Sequence, residues 1–412
     1  MSNDEWVPGP FGLDAARGTT VPGQRTVLAV VHHLTAGTRL AEVLPLLESD
    51  RRIQVVYTAA PSSHFTGGLA DYLHRLGGLT VPWSQAIRTP FDLAVAASNG
   101  RLESLHAPVL TLPHGSGPGK LYPRIEGAGP AAPRPVTGVL RDRLVVGGRV
   151  VPSAYVLPHE RHLRLLERDC PEALPVAVVG GDPCFDRLVE SRWRRAAYRR
   201  AFGVGRGRRL VLVTSTWGAH SLFGRHPDVL FRVAAQLSRE EYAVVAALHP
   251  GIWTISGRRQ VTRWHTDCLR HGVRLLPPEE GWRAALIAAD HVIGDHGSVT
   301  YYGAALGVPV ALGAFAEDDV EPGSHISRLG AIAPRIDWDA PLSPQLRAST
   351  GCFGEDVHAA LRTELTSVPG RAAQILRREM YRLMRLAEPD HPARLEPVPL
   401  PYCVSRDGLR AA

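Results

Sequence analysis

The chain has 412 residues, of which 44% are apolar and 21% charged, and its formal net charge is +7. The length exceeds what one hydrophobic core usually organises, so two domains are expected, and the modest charge does not indicate nucleic acid binding. No apolar run is long enough for a transmembrane helix, no signal peptide is evident, and the five scattered cysteines form no CxxC pair. Together these features predict a cytoplasmic protein without disulfides or a structural zinc site.

The first half of the chain alternates predicted strands with helices. It follows a segment rich in Gly and Pro, residues 1–24, which we interpret as a flexible tail. This alternation is typical of a parallel, doubly wound sheet, and it predicts a Rossmann-like domain over residues 25–190. The predicted strands are 26–31, 53–57, 79–82, 93–97, 109–112, 144–151 and 176–179, and the first helices are 38–47 and 68–76.

Two histidines, His32 and His33, end the first predicted strand. The carboxyl end of a strand is where a doubly wound sheet places functional groups. The pair is therefore a candidate for substrate contact, and a role in helix capping or packing fits it equally well. His64 lies in the loop after the second strand and is a weaker candidate.

A glycine-rich loop, LPHGSGPGK, occupies residues 112–120 directly after a strand. It differs from the P-loop GxxxxGK[ST], which requires glycine where His114 stands and Ser or Thr where Leu121 stands, so ATP hydrolysis is excluded. A histidine at a strand end can act as general base for an attacking hydroxyl, and a structural histidine in a tight loop is the alternative. His114 with Gly115 and Ser116 is accordingly a candidate acceptor site.

Lys120, at the end of this loop, is the only lysine in the chain; the other 46 basic residues are arginines. An arginine bias of this kind is typical of a GC-rich genome. A lysine that persists in such a sequence either does work that arginine cannot do or persists by chance. Both interpretations stay open, and we group Lys120 with the acceptor loop.

Eight arginines lie between residues 192 and 209, five of them on a short predicted helix. We interpret this segment as the link between two domains, with its arginines on a solvated face. Contact with an acidic partner or with membrane headgroups is the alternative.

The second predicted domain covers residues 205–368. Its strands run into three polar ends, Thr214–Trp217, His249-Pro250 and Asp295–Ser298, which parallel strands would bring to one edge of a sheet. His249 is held by the proline that follows it, and an imidazole so placed can bind a pyrophosphate.

The stretch over residues 281–313 reads as helix, short strand, turn, helix and strand. Ser298 is the predicted N-cap of the second helix, whose free N–H groups and dipole favour an anion, and Gly297 lets a phosphate approach the backbone. An ordinary turn between a strand and a capped helix is the alternative. The candidate residues for donor phosphate binding are Thr214, Ser215, Thr216, Asp295, His296, Gly297, Ser298, Val299 and Thr300.

Four stretches, taken in order, resemble the CDP-glycerol glycerophosphotransferases. LPHGSGPGK resembles the family's Trp-His-Gly-Thr motif with its trailing lysine, and VVGGDPCFDRL resembles its Gly-x-Pro-Arg-x-Asp motif. LVLVTSTWGAH resembles the strand ending in Pro-Thr-Trp, while ALHP and ADHVIGDHGSVTYYGAALGVPVAL resemble the His-Pro strand and the Asp-Tyr-Ser-Ser loop with its helix. The departures are Pro113 for tryptophan, Cys184 for arginine, and His296-Gly297 for Tyr-Ser.

This resemblance implies a GT-B fold, with two Rossmann-like domains facing a cleft, and transfer of a glycosyl or glycerophosphoryl group from a nucleotide-diphosphate donor to a hydroxyl. It implies that His114 is the base, that His249 binds the donor pyrophosphate, and that Ser298 and its turn bind the donor phosphate. UDP-sugar 2-epimerases share the fold and are the enzymatic alternative, and a non-catalytic binding or scaffold protein is another. We expect no metal, because no DxD-type pair ends a strand, and no cofactor beside the donor substrate.

The last part of the chain holds an acidic loop and an amphipathic helix. Glu317, Asp318 or Glu321 could contact donor hydroxyls, and a solvated loop is the alternative. Residues 371–387 predict a helix with one apolar face. In a GT-B protein this helix would cross back to the first domain, so residues 369–412 are expected to form a crossing helix and tail. The sequence leaves the acceptor unidentified and peripheral membrane contact open.

Overall fold

The computed structural model describes residues 6–12, 20–21, 23–63, 67–123 and 134–404; His64 and much of the predicted N-terminal tail lie outside them. The chain divides into two compact units. Unit 1 comprises Met1–Pro118, Pro135–Asp186 and Thr366–Glu396, and unit 2 comprises Gly119–Arg134, Arg187–Leu365 and Pro397–Ala412. Each unit is thus built from three separate segments, whereas the sequence suggested two nearly continuous domains.

Unit 1 contains a seven-stranded sheet of order β3-β2-β1-β4-β5-β8-β9, and unit 2 a five-stranded sheet of order β12-β11-β10-β13-β14. All neighbours in both sheets are parallel, which confirms the predicted fold class of two Rossmann-like domains. The strands are β1 (Arg25–Val31), β2 (Ile53–Ala59), β3 (Leu79–Thr80), β4 (Leu93–Ala96), β5 (Val109–Thr111), β6 (Val145–Val146), β7 (Arg149–Val150), β8 (Ala154–Leu157), β9 (Ala177–Val179), β10 (Arg209–Ser215), β11 (Tyr242–Leu248), β12 (Arg274–Leu275), β13 (His291–Gly294) and β14 (Val310–Leu312).

Helices connect these strands, as parallel pairing requires. The α-helices are α1 (Leu34–Val43), α2 (Pro45–Glu48), α3 (Leu69–Leu76), α4 (Trp83–Ala86), α5 (Arg141–Leu144), α6 (Arg161–Asp169), α7 (Pro183–Glu190), α8 (Arg195–Ala201), α9 (Leu222–Arg225), α10 (Val229–Gln236), α11 (Pro250–Ser256), α12 (Arg258–Trp264), α13 (Thr266–Arg270), α14 (Trp282–Ala288), α15 (Ser298–Leu306), α16 (His325–Ile332), α17 (Leu342–Gly351), α18 (Glu355–Leu365) and α19 (Ala372–Leu383).

Both sheets have a topological switch point next to the first strand of the unit. In unit 1 the chain adds β2 and β3 on one side of β1 and then returns to place β4 on the other. In unit 2, β11 and β12 follow on one side of β10, and β13 lies on its other side. Ligands of open α/β sheets bind at the carboxyl ends of the strands that flank such a point. The fold therefore offers one candidate crevice in each unit.

The core of unit 1 is built on β1, which reads as a continuous apolar run because both of its faces are buried. Val27, Ala29 and Val31 face one core cluster, which also contains Leu376 and Met380 from α19. Helix α19, expected to cross between domains, thus contributes its apolar face to unit 1. Leu376 and Met380 are almost fully buried, and truncating either to alanine should cost about 2–5 kcal/mol.

Residues 144–151 do not form the predicted single strand. They make a short antiparallel hairpin of β6 and β7 after α5. Gly147 and Gly148 form its turn with φ values of 58° and 75°. A two-residue turn with both φ angles positive matches the twist of a hairpin and favours glycine at both positions.

The arginine-rich segment also differs from its interpretation as a solvated link. Arg195 donates to the carbonyls of Ile287 and Ala289, at 2.6 and 2.9 Å, and Arg199 donates to that of Ala288 at 2.9 Å. Both guanidinium groups also pair with Asp290 at 2.7 Å. These carbonyls lie at the carboxyl end of α14, where cations satisfy unpaired acceptors and oppose the helix dipole. These two arginines therefore fasten α8 inside unit 2.

Candidate functional site

A buried carboxylate, that of Asp295, holds together the switch point of unit 2. Its Oδ2 accepts hydrogen bonds from the Thr216 and Leu222 backbone N–H groups, both at 2.9 Å, and from Ser215 Oγ at 3.2 Å. Its Oδ1 accepts from Gly297 N–H at 2.9 Å. The carboxylate thus ties the turn after β10 to the turn after β13 and to the start of α9. Asp295, a candidate for phosphate binding, instead positions the groups around it.

Three more of the candidate residues have structural contacts. Ser215 Oγ shares its one proton between Asp295 Oδ2 and the Thr216 carbonyl oxygen, 2.8 Å away, and accepts from Phe223 N–H at 2.9 Å. Thr300 Oγ1 accepts from Asp295 N–H at 3.2 Å, and both Thr300 and Thr214 are buried. Sequence reasoning could not separate these residues from ligand-binding ones, because a polar residue at a strand end serves either purpose.

The first turn of α15 is the part of this edge that reaches the surface. Ser298 and Val299 are half-buried, and the N-cap is Gly297 without a side-chain cap, so Ser298 is the first helical residue and not the predicted N-cap. A Cβ at Gly297 would lie 2.9 Å from Asp295 Oδ1 and 3.4 Å from Thr216 Cβ. Glycine is required here because the two turns approach so closely. The orientation of the N–H groups in its first turn and the dipole of α15 make its start suited to an anion.

Lys120 belongs to this edge of unit 2 and not, as expected, to the acceptor loop of the first domain. The chain enters unit 2 at Gly119 and pairs antiparallel with residues 319–321: Leu121 N–H donates to the Asp319 carbonyl and Glu321 N–H to the Gly119 carbonyl, both at 3.0 Å. Lys120 Nζ then donates to Thr216 Oγ1 at 3.3 Å. The chain's only lysine is therefore placed at the end of β10, a placement that depends on tertiary pairing.

A second titratable group, His296, lies beside this lysine. Its side chain is 5% exposed and its ring meets Phe315 edge to face, with centroids 6.1 Å apart. Within the part of the chain that the structure describes, its buried Nδ1 has no hydrogen-bond partner. Burial, reinforced by the Lys120 ammonium, lowers the pKa of His296 to about 4 despite the carboxylates of Asp295 and Asp319. Burial also lowers the pKa of Lys120, against the same two carboxylates.

His249 directly follows β11 at the same edge. Its backbone N–H donates to the Ser215 carbonyl at 3.0 Å, which continues the pairing of β11 with β10. As N-cap of α11, its Nδ1 accepts from Gly251 N–H at 3.0 Å. The proton of the neutral ring is therefore on Nε2, where it can be donated to an anionic oxygen. The ring lies 6.5 Å from that of Trp217, which is largely exposed.

The acidic segment after β14 is mostly engaged within unit 2. Asp319 pairs with Arg134 at 2.9 Å and with His220 at 2.6 Å, and Glu317 pairs with Arg335 at 2.8 Å. Asp319 was missed by sequence reasoning, which singled out its neighbours. Its role depends on the pairing with residues 119–121, for which the sequence gives no local signal.

In unit 1, His114 lies exposed at the carboxyl edge of the sheet, after β5. Its Nδ1 is 2.9 Å from the Ala97 carbonyl oxygen, which only accepts hydrogen bonds, so Nδ1 carries the proton. The neutral ring consequently has its basic lone pair on Nε2. His33 is the opposite tautomer, because its Nδ1 accepts from Ala36 N–H at 3.2 Å as the N-cap of α1. The two rings meet edge to face, with centroids 4.8 Å apart.

His32, by contrast, is a buried connector across the switch point of unit 1. Its Nε2 lies 2.9 Å from the carbonyl oxygen of Gly100, in the loop after β4. The side chain is 1% exposed, and burial lowers its pKa. His32 therefore differs from the expected substrate-contacting residue, since its ring is closed off by the sheet around it.

A cluster of buried charged side chains supports the His114 loop. Arg39 donates to the Gly115 carbonyl at 3.1 Å and pairs with Asp182 at 3.1 Å and Glu42 at 3.4 Å, all three side chains being almost completely buried. Ser116 is buried in the same loop. Arg39 was not singled out from the sequence, although a charged residue on the apolar side of a predicted helix was the available signal.

The segment matched to the Gly-x-Pro-Arg-x-Asp motif is structural in this chain. Asp182 Oδ1 accepts from the N–H groups of Cys184 and Phe185 at the start of α7. Asp186 accepts from the N–H groups of Gly370 and Ala372, at 2.8 and 3.0 Å, and so anchors the start of α19. Two carboxylates thus satisfy helix N-termini.

Over the described residues, the structure has no group of three or more His, Cys, Asp or Glu side chains arranged to hold a metal ion. Over the same residues, no helix combines the length and apolarity needed to cross a membrane.

Comparison with known proteins places the fold. No protein-family model matches the chain, and a search of curated proteins finds no match. Among solved structures, the chain is similar to the wall teichoic acid polymerase TagF, with 12% identity, a TM-score of 0.58, and coverage of 89% of this chain and 90% of that one. It is also similar to UDP-GlcNAc 2-epimerase from Neisseria meningitidis bound to UDP-GlcNAc, with 15% identity, a TM-score of 0.50, and coverage of 86% and 99%. A third is MnaA of S. aureus with UDP, with 10% identity, a TM-score of 0.52, and coverage of 90% and 100%. At these identities the likeness shows a GT-B-type fold.

Proposed function

We propose that this protein is a transferase that moves a glycosyl or glycerophosphoryl group from a nucleotide-diphosphate donor to a hydroxyl acceptor. The observation that carries the proposal is the set of groups gathered at the end of β10: the start of α15, the Nε2–H of His249 and the ammonium of Lys120. All three are suited to a diphosphate, and buried Asp295 holds their loops in place.

Unit 2 supplies the donor half of this mechanism. When the bond to the nucleotide breaks, negative charge develops on the leaving phosphate. Preorganised donors aimed at such charge stabilise a transition state because they need no reorganisation at the moment of reaction. The N–H groups at the start of α15 are fixed by the Asp295 carboxylate, and His249 is fixed by its own helix cap, so both meet this requirement.

Unit 1 supplies the acceptor half. The Ala97 carbonyl holds His114 in the tautomer whose lone pair is on Nε2, and that nitrogen takes the proton of the acceptor hydroxyl. The oxygen then attacks the transferred group. Burial excludes His32 from this role, whereas His114 is exposed and His33 is half-buried.

The test is product analysis by mass spectrometry, with CDP-glycerol and UDP-sugars as donors and a panel of hydroxyl acceptors. His114→Asn retains an amide that can donate to the Ala97 carbonyl, and it should lower turnover by about 10²–10⁴ while donor binding stays intact. His74→Asn, on the exposed end of α3, is the matched control and should behave as wild type. Unaltered turnover in His114→Asn would remove this residue from the mechanism.

UDP-sugar 2-epimerisation is a second candidate, supported by the two UDP-bound structures with the same fold. The same experiment separates the two, because an epimerase releases UDP or an epimerised sugar without any acceptor. A binding or scaffold protein predicts a third result: donor binding without turnover for any donor and acceptor pair.

A further inference from the structure

Close to the start of α15 lies a feature that a plain anion site does not require, the titratable ring of His296. His296 is buried, and its Nδ1 lacks a hydrogen-bond partner among the described residues. An unsatisfied buried nitrogen is costly, so its persistence calls for a partner that the bare protein does not supply.

The charged groups around His296 are all committed elsewhere. Lys120 donates to Thr216, and the Asp295 carboxylate is occupied by its four donors. Asp319 is held by Arg134 and His220. These are the charged groups that act on His296, and their net effect together with burial is to keep the ring neutral.

A bound diphosphate reverses this balance. It brings negative charge to the start of α15, whose N-cap directly follows His296 in the chain, without adding a proton donor of its own. An opposite charge within about 4–6 Å favours the protonated form of a histidine and raises its pKa by about 1–3 units. The protonated ring then donates to the phosphate, and the phosphate is the partner that His296 Nδ1 lacks.

We propose that binding of a nucleotide-diphosphate donor at the start of α15 is accompanied by uptake of a proton by His296. This inference deepens the proposed function and rests on it. It makes donor affinity depend on pH through His296.

Calorimetry in pairs of buffers with different ionisation enthalpies measures this proton directly. UDP-GlcNAc and CDP-glycerol are the probes, because both phosphates of each are diesters that stay ionised throughout the range. If binding raises the pKa of His296 by roughly two units, uptake should be about 0.7 proton at pH 5.5 and nearly zero at pH 7.5, with affinity about fourfold tighter at pH 5.5.

Two variants assign the proton. His296→Asn should bind with an observed enthalpy that no longer depends on the buffer and with an affinity that no longer rises at pH 5.5, and His296→Gln provides the same test if the first variant fails to fold. His220→Asn, the matched control, removes the exposed histidine on the other side of Asp319 and should retain the uptake. Loss of uptake in His220→Asn with retention in His296→Asn overturns the assignment.

The two proposals fail in different ways. Binding of either probe without buffer dependence at pH 5.5 overturns proton uptake and leaves the donor site standing. If neither probe binds at either pH, the donor site itself is refuted, and proton uptake with it.

Discussion

The two switch points solve the same structural problem with different chemistry. In unit 2 a carboxylate, Asp295, gathers backbone N–H groups from two turns and a helix start. In unit 1 two imidazoles do the corresponding work by donating to carbonyls, His32 to Gly100 and His114 to Ala97. A carboxylate orients N–H groups and leaves a site suited to anions. An imidazole bound to a carbonyl is fixed in one tautomer and presents a base.

The largest expected effect comes from removing the Asp295 carboxylate, which holds the switch point of unit 2 together. Asp295→Ala removes the acceptor from three buried N–H groups, and leaving such groups unpaired should cost about 3–5 kcal/mol of unfolding free energy. Urea denaturation measures the loss. Asp318→Ala, which removes an exposed carboxylate, is the control and should change stability by less than about 0.5 kcal/mol. Equal stability of the two variants would mean that the turns hold together without Asp295.

His249 tests whether unit 2 uses its donors on an anion. Its Nε2–H should bond to the donor phosphate, so His249→Ala should weaken binding of CDP-glycerol or UDP-GlcNAc by about 1.5–3 kcal/mol, the size of a hydrogen bond to a charged group. Calorimetry on the folded variant gives the value. Since the same change removes the cap of α11, His249→Ser restores the cap alone, and weak binding by both variants would assign the loss to the imidazole.

Acid should destabilise both units through buried neutral histidines. Burial lowers the pKa of His162 in unit 1 to about 3 and that of His296 in unit 2 to about 4. In the unfolded chain these histidines take up protons near pH 6.5, whereas the buried rings of the folded protein stay neutral. The stability that each ring contributes is therefore present above that pH and is lost as the pH falls. Each ring should lower the free energy of unfolding by about 2 kcal/mol between pH 7.5 and pH 5. Urea denaturation across this range measures the loss. In His162→Gln and in His296→Gln, the decrease in the free energy of unfolding over this pH range should be smaller by that amount.

The smallest expected effect tests whether His33 serves only as the N-cap of α1 or also acts in catalysis. His33→Ala removes the N-cap of α1 and should lower the free energy of unfolding by about 1 kcal/mol, without changing donor binding. His33→Asn should recover most of this stability. A change in donor affinity in either variant would show that His33 acts beyond unit 1.

The fold was predictable because most strands of both sheets are short apolar runs that end near glycine, proline or polar residues. The meeting of His249, Thr216 and the turn before α15 followed from the parallel direction of their strands. That Asp295 holds these turns together did not follow, because the sequence does not show whether its oxygens bind a ligand or accept from backbone N–H groups.

Two placements depend on partners that the sequence around them does not identify. Lys120 reaches unit 2 through an antiparallel pairing with residues some 200 positions later in the chain, at Val320. Arg39 reaches under the His114 loop because Asp182, from a distant segment, provides its counter-charge. Both depend on contacts between segments far apart in the chain, which hydrophobic periodicity does not encode.

The order in which the segments of unit 1 occur has a consequence for synthesis. Helix α19, which adds Leu376 and Met380 to the core cluster that contains one face of β1, begins only at residue 372. A ribosome that has already made the whole first sheet must still translate Arg187–Leu365 before this cluster receives its last helix. The emerging protein therefore carries an exposed apolar surface while unit 2 is being made, and chaperones that bind such surfaces would find their substrate there.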